Sequence, residues 1–249
     1  FGNNFSLDRY MWARCVVITR VFGIRLDGNK TSALVPFADL VDHGKKNLRW
    51  TYNESSHMFE ISAFHDIIKG EYFYISYGMK CNSRWLVNYG FIKQNNDAYN
   101  EATFYFKNNN NQNEMELFNM SISYKHNNVK ECFSYLRSGI KGVPKLDPIS
   151  IKDELIVLKR IQNASKYSLG LFNTTLKFDN ELLKDYKKYP EFSNKRNAIL
   201  MRKGEKEVLQ YWFDLCETLI VILNISPNDV LYLDINSFKD GEYVHCLQR

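Results

Sequence analysis

The sequence predicts an α+β protein with an irregular, β-rich part up to residue 95 and a mainly helical part from 96 to 249. In the first part, short runs of aromatic and β-branched residues are bounded by turn residues, a pattern typical of strands. After residue 150, apolar residues recur three and four positions apart, which is typical of helices that bury one face. This order of strands and then helices favours two domains, 1–95 and 96–249.

The first part begins with a predicted helix over 10–22, in which Trp12 and later apolar residues fall at helical spacing. A turn is predicted at 27–30, and Pro36 interrupts the apolar run that follows, which favours an irregular segment. The other predicted elements of this part are three strands and a short helix: 49–53, 58–63, 72–77 and 82–88. Asn82 is the predicted N-cap of that helix.

In the second part, a strand at 103–106 and another at 115–118 are expected to pair across the asparagine-rich run at 108–113. Helices are predicted at 151–162, at 178–188 and from about 194 to 223. The last of these carries an apolar stripe with i, i+3, i+4 spacing: Leu209, Trp212, Phe213, Cys216, Leu219, Ile220 and Leu223.

Composition excludes several classes of protein. The 33 Lys and Arg against 28 Asp and Glu give a net charge of only +5, spread over both halves, so no direct nucleic-acid partner is expected. No apolar run reaches the roughly 18 residues of a membrane span, so no membrane association is expected. Five dispersed cysteines without a CxxC pair indicate free thiols in a reducing, intracellular compartment, either cytoplasm or nucleus.

The segment 34–43 is apolar and closes on three side chains with possible chemistry, Asp39, Asp42 and His43. A metal-dependent hydrolase built on Asp39 and His43 is one hypothesis, but no metal-ligand spacing supports it and no metal is expected. The chain also has no GxSxG nucleophile elbow and no glycine-rich phosphate loop.

Tyr77 ends the predicted strand 72–77, immediately before Gly78. Strand alternation places it on the apolar face with Phe73 and Ile75. A tyrosine in such a place is often a core residue whose hydroxyl bonds a backbone carbonyl, so the strand alone leaves its role open.

Taken together, these segments resemble the SET-domain protein methyltransferases. The resemblance is greatest to the subfamily typified by the Rubisco large-subunit lysine methyltransferase, in which a helical substrate-binding domain follows the SET domain. Four segments carry it. Residues 12–22 resemble the family's tryptophan-to-SR-x-F helix, and residues 34–43 resemble its LVPLADMxNH segment. Residues 70–91 resemble GExxxxxYGxxxNxxLLxxYGF, and residues 197–209 resemble the R-x-GEK-x-xL helix of the C-terminal domain. The resemblance implies a threaded SET pseudoknot followed by the helical domain.

The resemblance also implies a function, which is N-methylation of a lysine in a protein substrate with S-adenosylmethionine as cofactor. Tyr77 matches the catalytic tyrosine, and Arg20 matches an arginine that pairs with the cofactor's carboxylate, for which a guanidinium is suited. The other positions implied to contact the cofactor come from the same motifs: Asp39, Asp42, His43, Tyr89 and Phe91. Phe22 and Tyr52 are placed at the aromatic wall of a lysine channel.

Two departures from the family pattern bear on this hypothesis. Asp42 stands where the family has Asn, and an ionised carboxylate only accepts hydrogen bonds. The N-terminal GxG loop of the family is missing, so the chain is expected to begin inside the SET domain. Two further hypotheses therefore stay open, a protein-histidine methyltransferase of the same fold and a SET-like module that binds a partner without catalysis.

Overall fold

The computed structural model describes residues 6–93, 96–107, 114–122, 127–142 and 144–224. By packing, they form two compact units, the first made of residues 6–79 and 87–89, the second of residues 80–86 and those from 90 onward. The packing of the chain changes from the first unit to the second between residues 79 and 90, whereas the sequence pattern predicts a domain boundary at residue 95. The boundary at residue 95 stays a prediction.

The first unit is built from one helix and short strands: α1 (Leu7–Arg20), β1 (Val21–Leu26), β2 (Asn29–Leu34), β3 (Asp42–His43), β4 (Leu48–Asn53), β5 (Met58–Ala63) and β6 (Tyr74–Ile75). The pairs β1–β2 and β4–β5 are antiparallel, and β3 pairs with β6 in parallel. Helix α2 (Asn82–Tyr89) follows and gives its last three residues to this unit. The α+β class and the strands predicted at 49–53 and 58–63 are confirmed.

The turn between β1 and β2 consists of Asp27 and Gly28, which have φ values of 51° and 74°. Two consecutive residues with positive φ are the geometry of a type I′ hairpin turn, for which Asp-Gly is a preferred sequence. The tight turn fixes the register from Leu26 opposite Asn29 back to Phe22 opposite Ala33. It thereby fixes the position of Phe22 at the start of β1.

The strand predicted over 72–77 is only two residues long, Tyr74–Ile75. The reason is Asn47, whose side-chain amide donates to the Tyr72 carbonyl at 2.8 Å and whose Oδ1 accepts from the Tyr74 N–H at 2.8 Å. A side chain therefore satisfies backbone groups that a neighbouring strand would otherwise pair. The residues on either side of β6 are not part of a strand pair, so the backbone N–H of Tyr77 can bond a partner other than a neighbouring strand.

The second unit contains a β-hairpin and four long helical segments: β7 (Glu101–Lys107), β8 (Met115–Ser121), α3 (Asn127–Lys141), α4 (Ile151–Gly170), α5 (Leu176–Lys184) and α6 (Asn194–Asn224). The predicted pairing of β7 with β8 is confirmed, and it is antiparallel, with Phe104 opposite Phe118. The three predicted helices are present, and α4 extends eight residues beyond the predicted end at 162. Helix α3 was not predicted, and the asparagine-rich run 108–113 lies outside the described residues.

The stripe on α6 forms the centre of the second core. Leu209, Trp212, Cys216 and Leu219 are each at most 1% exposed. The indole Nε1 of Trp212 donates to the Ser121 carbonyl at 2.8 Å, so this buried polar group is satisfied by the end of β8. The predicted packing role of the stripe is confirmed at these positions.

Three asparagines form a buried network in the second unit. Asn96 donates from Nδ2 to the Lys80 carbonyl at 2.8 Å and to Asn82 Oδ1 at 3.1 Å. The Asn82 backbone N–H in turn donates to Asn100 Oδ1 at 3.1 Å. Asn82 is therefore the first residue of α2 and not its N-cap, which is Cys81, and the first N–H of the helix is satisfied by Asn100.

Two clusters of opposite charges are buried among the helices. Arg137 and Glu154, at 0% and 1% side-chain exposure, pair through Nε–Oε1 at 2.8 Å and Nη2–Oε2 at 2.9 Å. Asp179 of α5 accepts from Lys206 at 2.6 Å and from Arg202 at 2.6 Å, both on α6. Charges in an apolar interior persist only when they are paired. Because the partners here lie on different helices, each carboxylate joins two helices.

Gly204 lies between Arg202 and Lys206 in the interior of α6, where glycine normally weakens a helix. A β-carbon at this position would lie 2.7 Å from the Nδ2 atom of Asn100. Asn100 cannot retreat freely, because its Oδ1 is held by the Asn82 N–H. The absence of a side chain at position 204 is therefore what allows α6 to approach the asparagine network.

We expect Gly204→Ala to lower the free energy of unfolding by about 1–3 kcal/mol, because overpacking outweighs the gain in helix propensity. Gly170→Ala is the matched control, since Gly170 is also helical and a β-carbon added there would meet no atom within 4 Å. It should be neutral or slightly stabilising. Urea unfolding of both variants measures the difference, and equal midpoints would contradict the packing explanation.

Within the described residues, no helix is long and apolar enough to cross a membrane. Cys15, Cys81, Cys132 and Cys216 are free thiols, and Cys246 lies outside the described part of the chain. Burial raises the pKa of the Cys132 and Cys216 thiols far above the ordinary value. These two cysteines are therefore inert thiols that pack in the core.

Candidate active site

Arg20 and Asp39 meet at the point where α1 ends and β1 begins. Arg20 is the last residue of α1, and Asp39 lies in a single 3-10 turn, Ala38–Leu40. Nη1 of Arg20 donates to both the backbone carbonyl and the Oδ2 of Asp39, each at 3.1 Å. The pair is partly open to solvent, with 41% and 20% of the two side chains exposed. It places one positive and one negative group side by side.

Tyr77 is held by the strand β3 and the residue before it. The parallel register puts His43 beside Ile75, two residues before Tyr77. The Tyr77 backbone N–H donates to Nδ1 of His43 at 3.1 Å, and its hydroxyl donates to the Val41 carbonyl at 2.8 Å. Tyr77 is thus fixed at its backbone and at its hydroxyl, and a hydroxyl oxygen that donates its hydrogen can also act as an acceptor.

A cavity of about 270 Å³ lies next to this phenol. It is lined by residues from α1, β1, the 3-10 turn, β4, β6 and the end of α2: Thr19, Arg20, Val21, Phe22, Asp39, Val41, Trp50, Ile75, Ser76, Tyr77, Gly78 and Tyr89. The ring of Tyr89 lies 5.0 Å from that of Tyr77, centroid to centroid. The Arg20–Asp39 pair and two phenols therefore share one cavity.

Aromatic rings form another wall of the same cavity. Phe22 contacts Trp50 edge to face at a centroid distance of 5.3 Å and Phe59 at 5.0 Å. Trp50 and Phe59 are stacked at 5.4 Å with an interplanar angle of 14°. Such mutual packing fixes each ring, so the wall is rigid and apolar.

The electrostatics favour a neutral phenol at position 77. Burial is the main reason that the pKa of Tyr77 lies above its usual value, and the negative charge of Asp42 raises it further. Arg20 acts in the opposite direction but does not outweigh these effects. Burial likewise raises the pKa of Tyr89. At neutral pH both side chains carry their hydroxyl hydrogens.

The structure brings five of the predicted site residues to the cavity wall: Arg20, Phe22, Asp39, Tyr77 and Tyr89. Two more lie directly behind it, since His43 accepts the Tyr77 N–H and Asp42 separates His43 from Val41. Two do not line it. The Tyr52 hydroxyl lies 3.4 Å from His57 Nδ1, and Phe91 packs in the second unit, 5.3 Å from the Trp85 ring. The individual roles of all nine stay predictions.

Trp50 is the main contributor that the sequence did not single out. It lies on β4 two residues before Tyr52, so both side chains fall on the same face of the strand. Strand alternation could have indicated the face, but not which residue along it meets Phe22. Val41 was missed for a different reason, because it acts through its backbone carbonyl, which no side-chain pattern reveals.

Among the described residues, no group of three or more His, Cys, Asp or Glu side chains is arranged to hold a metal ion. Asp39 is paired with Arg20, and Nδ1 of His43 accepts a backbone N–H. Neither arrangement supports the metal-dependent hydrolase hypothesis, which assigned these two residues as ligands.

Comparison with known proteins places this geometry in a family context. Residues 103–209 match the family model described as Rubisco LSMT substrate-binding. A crystal structure of the SET domain of LSMT bound to lysine and AdoHcy matches 99% of this chain and 64% of its own, with a TM-score of 0.63 and 21% identity. A structure of Rubisco LSMT bound to AdoMet matches with the same coverage, TM-score and identity.

Sequence relatives match a shorter part of the chain. The actin-histidine N-methyltransferase of Xenopus tropicalis is 34% identical over 96 residues, which are 38% of this chain and 16% of that protein. The Homo sapiens enzyme of the same name is 33% identical over 96 residues, with the same two coverages. The chain thus spans 16% of the length of these relatives and about two thirds of the solved structures.

The fold is therefore that of the SET-domain methyltransferases. More particularly, the chain resembles the Rubisco LSMT-like group, in both its substrate-binding family match and its structural match. The resemblance predicted from the sequence motifs is confirmed.

Proposed function

We propose that the protein is an S-adenosylmethionine-dependent protein N-methyltransferase whose target is a lysine side chain. The observation that carries this proposal is the position of the Tyr77 phenol, which is fixed by Val41 and His43 on a cavity shared with the Arg20–Asp39 pair. A rigid aromatic wall with one oriented hydroxyl suits a reaction in which alignment is the main contribution of the enzyme.

The residues at the cavity fit the amino-acid end of the cofactor. That end is a zwitterion, and Arg20 and Asp39 offer a guanidinium for its carboxylate and a carboxylate for its ammonium. Both side chains are partly exposed, so they can exchange their mutual contact for a ligand. When bound, the cofactor supplies an electrophilic methyl group on a sulfonium.

Tyr77 would orient the incoming amine. Its hydroxyl hydrogen is used by the Val41 carbonyl, so the phenol oxygen can accept a hydrogen bond from the amine N–H. Since its pKa is raised, Tyr77 acts as an orienting group and not as a phenolate base. The amine must be neutral to react, and partial burial in the cavity lowers the pKa of a lysine in that direction.

The lysine target is supported by the aromatic wall. The side chains of Phe22 and Trp50 line the cavity and present apolar surface to the methylene groups of a lysine, and Phe59 packs against both rings. Histidine is the second candidate, because the sequence relatives are actin-histidine N-methyltransferases. An imidazole would need a polar partner for its second nitrogen. Of the two small hydroxyls on this cavity, that of Thr19 donates to the Cys15 carbonyl, whereas that of Ser76 accepts from the Gly78 N–H and can still donate, so Ser76 is the partner that a histidine target would use.

The experiment is methyl transfer from labelled S-adenosylmethionine by the full-length protein, with actin, histones and a cytosolic protein fraction as acceptors. We expect label in protein and, by mass spectrometry, on a lysine. Label on a histidine would reject the lysine assignment and retain the methyltransferase. No transfer to any acceptor, together with no thermal shift by the cofactor, would leave only the non-catalytic binding module.

The protein substrate is proposed to dock on the helical part of the chain, since residues 103–209 match a substrate-binding family. The buried pair Arg137–Glu154 joins α3 to α4, and the buried pair Asp179–Lys206 joins α5 to α6. They make it a firm platform on which a folded protein partner can bind.

A further inference from the structure

Asp42 lies between the two residues that hold Tyr77. The carbonyl of Val41, which precedes it, accepts the phenol hydrogen at 2.8 Å, and Nδ1 of His43, which follows it, accepts the Tyr77 N–H at 3.1 Å. Asp42 itself is exposed and pairs through its backbone with Tyr74. The carboxylate is thus tied covalently to the carbonyl that positions the phenol.

Covalent geometry limits how far this charge can be from the phenol oxygen. One peptide group and the short aspartate side chain separate the Val41 carbonyl oxygen from the carboxylate, so these two groups are within about 6.5 Å of each other. The 2.8 Å bond from the phenol then places the phenol oxygen within about 9 Å of the carboxylate. This is inside the Debye length of about 10 Å at 0.1 M ionic strength, so the charge is felt at the phenol. In agreement, Asp42 is the charged group with the largest effect in raising the pKa of Tyr77.

The charges around Tyr77 do not balance. Arg20 is positive, but Asp39 already pairs with it at 3.1 Å. Asp42 then adds a second carboxylate, so two negative groups and one positive group act on this end of the cavity. A ligand with a positive charge near the phenol is favoured over an equally shaped neutral ligand.

We propose that Asp42 makes the site select the positively charged methyl donor over its neutral product. This inference rests on the proposed function. S-adenosylmethionine carries a sulfonium, whereas S-adenosylhomocysteine has lost the transferred methyl group and has an uncharged thioether at the same atom. The carboxylate of Asp42 therefore contributes to the affinity of one and not of the other, and it limits product inhibition.

The test is calorimetric binding of S-adenosylmethionine and S-adenosylhomocysteine to the full-length protein and to Asp42→Asn. In the unsubstituted protein we expect tighter binding of the charged ligand. Asp42→Asn should reduce the ratio of the two affinities by about threefold, which is the size expected for one exposed charge at this distance. An unchanged ratio would overturn the inference.

Asp27→Asn is the matched control. It removes the same charge from an exposed residue at the hairpin tip, about 16 Å along β1 from Phe22, and asparagine tolerates the positive φ of that position. Its affinity ratio should equal that of the unsubstituted protein. An equal drop in both variants would show a net-charge effect and would reject a specific role for Asp42.

A second measurement needs no substitution. Raising the ionic strength from 0.05 to about 0.5 M should weaken the preference for the charged ligand, because salt screens a charge in this exposed position. A preference that does not depend on salt contradicts the inference. If neither ligand binds the unsubstituted protein, the proposed function itself fails, which is a different outcome from two ligands that bind with an insensitive ratio.

Discussion

Tyr77→Phe should lower the turnover of methyl transfer by about 100-fold, the usual cost of losing one oriented hydrogen-bonding group at a reacting centre. The substitution keeps the ring that packs against Tyr89 and removes only the oxygen that would receive the amine. Because that oxygen is not part of the Arg20–Asp39 pair, the dissociation constant for the cofactor should change by less than about threefold.

Steady-state kinetics and calorimetry on the full-length variant separate the two effects. Tyr72→Phe is the matched control, since Tyr72 lies in the same segment but is 73% exposed and does not line the cavity. It should leave both constants unchanged. If Tyr77→Phe weakens cofactor binding as much as it lowers turnover, Tyr77 has a structural role and not an orienting one.

The direction of the Tyr77 pKa shift adds a pH dependence. An acid whose pKa is raised loses its proton only at higher pH, so the phenol stays protonated throughout the range below about 10. The rate should rise towards pH 10 as the substrate amine becomes neutral, with no fall caused by Tyr77. A fall below pH 10 that disappears in Tyr77→Phe would contradict this assignment.

Asp179→Ala should lower the free energy of unfolding by about 3–5 kcal/mol, because it leaves a buried ammonium without its counter-charge. Asp179 is fully buried and Lys206 is 1% exposed, so neither can turn to solvent, whereas Arg202 is 32% exposed and can. The double variant Asp179→Ala/Lys206→Met removes both buried charges and should recover most of the loss.

Urea unfolding of these variants is the measurement. Glu181→Ala is the control on the same helix, since its pair with Lys184 is exposed and should be worth about 0.5 kcal/mol or less. A double variant as unstable as Asp179→Ala would show that the carboxylate stabilises the helices by some means other than compensating Lys206.

Acid should weaken the same cluster. Burial alone would raise the pKa of Asp179, but hydrogen bonds from Arg202, Lys206 and Thr174 outweigh it and hold the pKa below its ordinary value. The stabilising effect is therefore present above the unfolded-state pKa of about 3.9 and is lost as the pH falls through the lower folded-state value. The stability gap between the protein and Asp179→Asn should narrow over that range.

Much of the fold could be predicted because local patterns determine it. The β4–β5 and β7–β8 hairpins follow from short strand-forming runs on either side of turn or asparagine-rich residues, and α6 follows from its apolar stripe. Long-range side-chain bonds could not be predicted in this way. Asn47 replaces a strand partner from 25 residues away in sequence, and no local pattern indicates this contact.

The candidate site divides in the same manner. Tyr77 stood out because it ends a predicted aromatic strand, and the family resemblance of two other segments led to Arg20 and Asp39 on the same cavity. Trp50 did not, because alternation specifies a face of a strand and not a position along it. The role of Arg202 and Lys206 was hidden as well, since their partner Asp179 lies on another helix. The intracellular location stays a prediction.

The bond from the Tyr77 amide to His43 has a consequence for the imidazole itself. Because Nδ1 accepts this hydrogen, the uncharged ring carries its own on Nε2. A doubly protonated ring would turn a hydrogen donor towards another donor and lose that link. The ring serves the Tyr77 backbone only in the tautomer that carries its hydrogen on Nε2, so the placement of the phenol depends on a single imidazole tautomer.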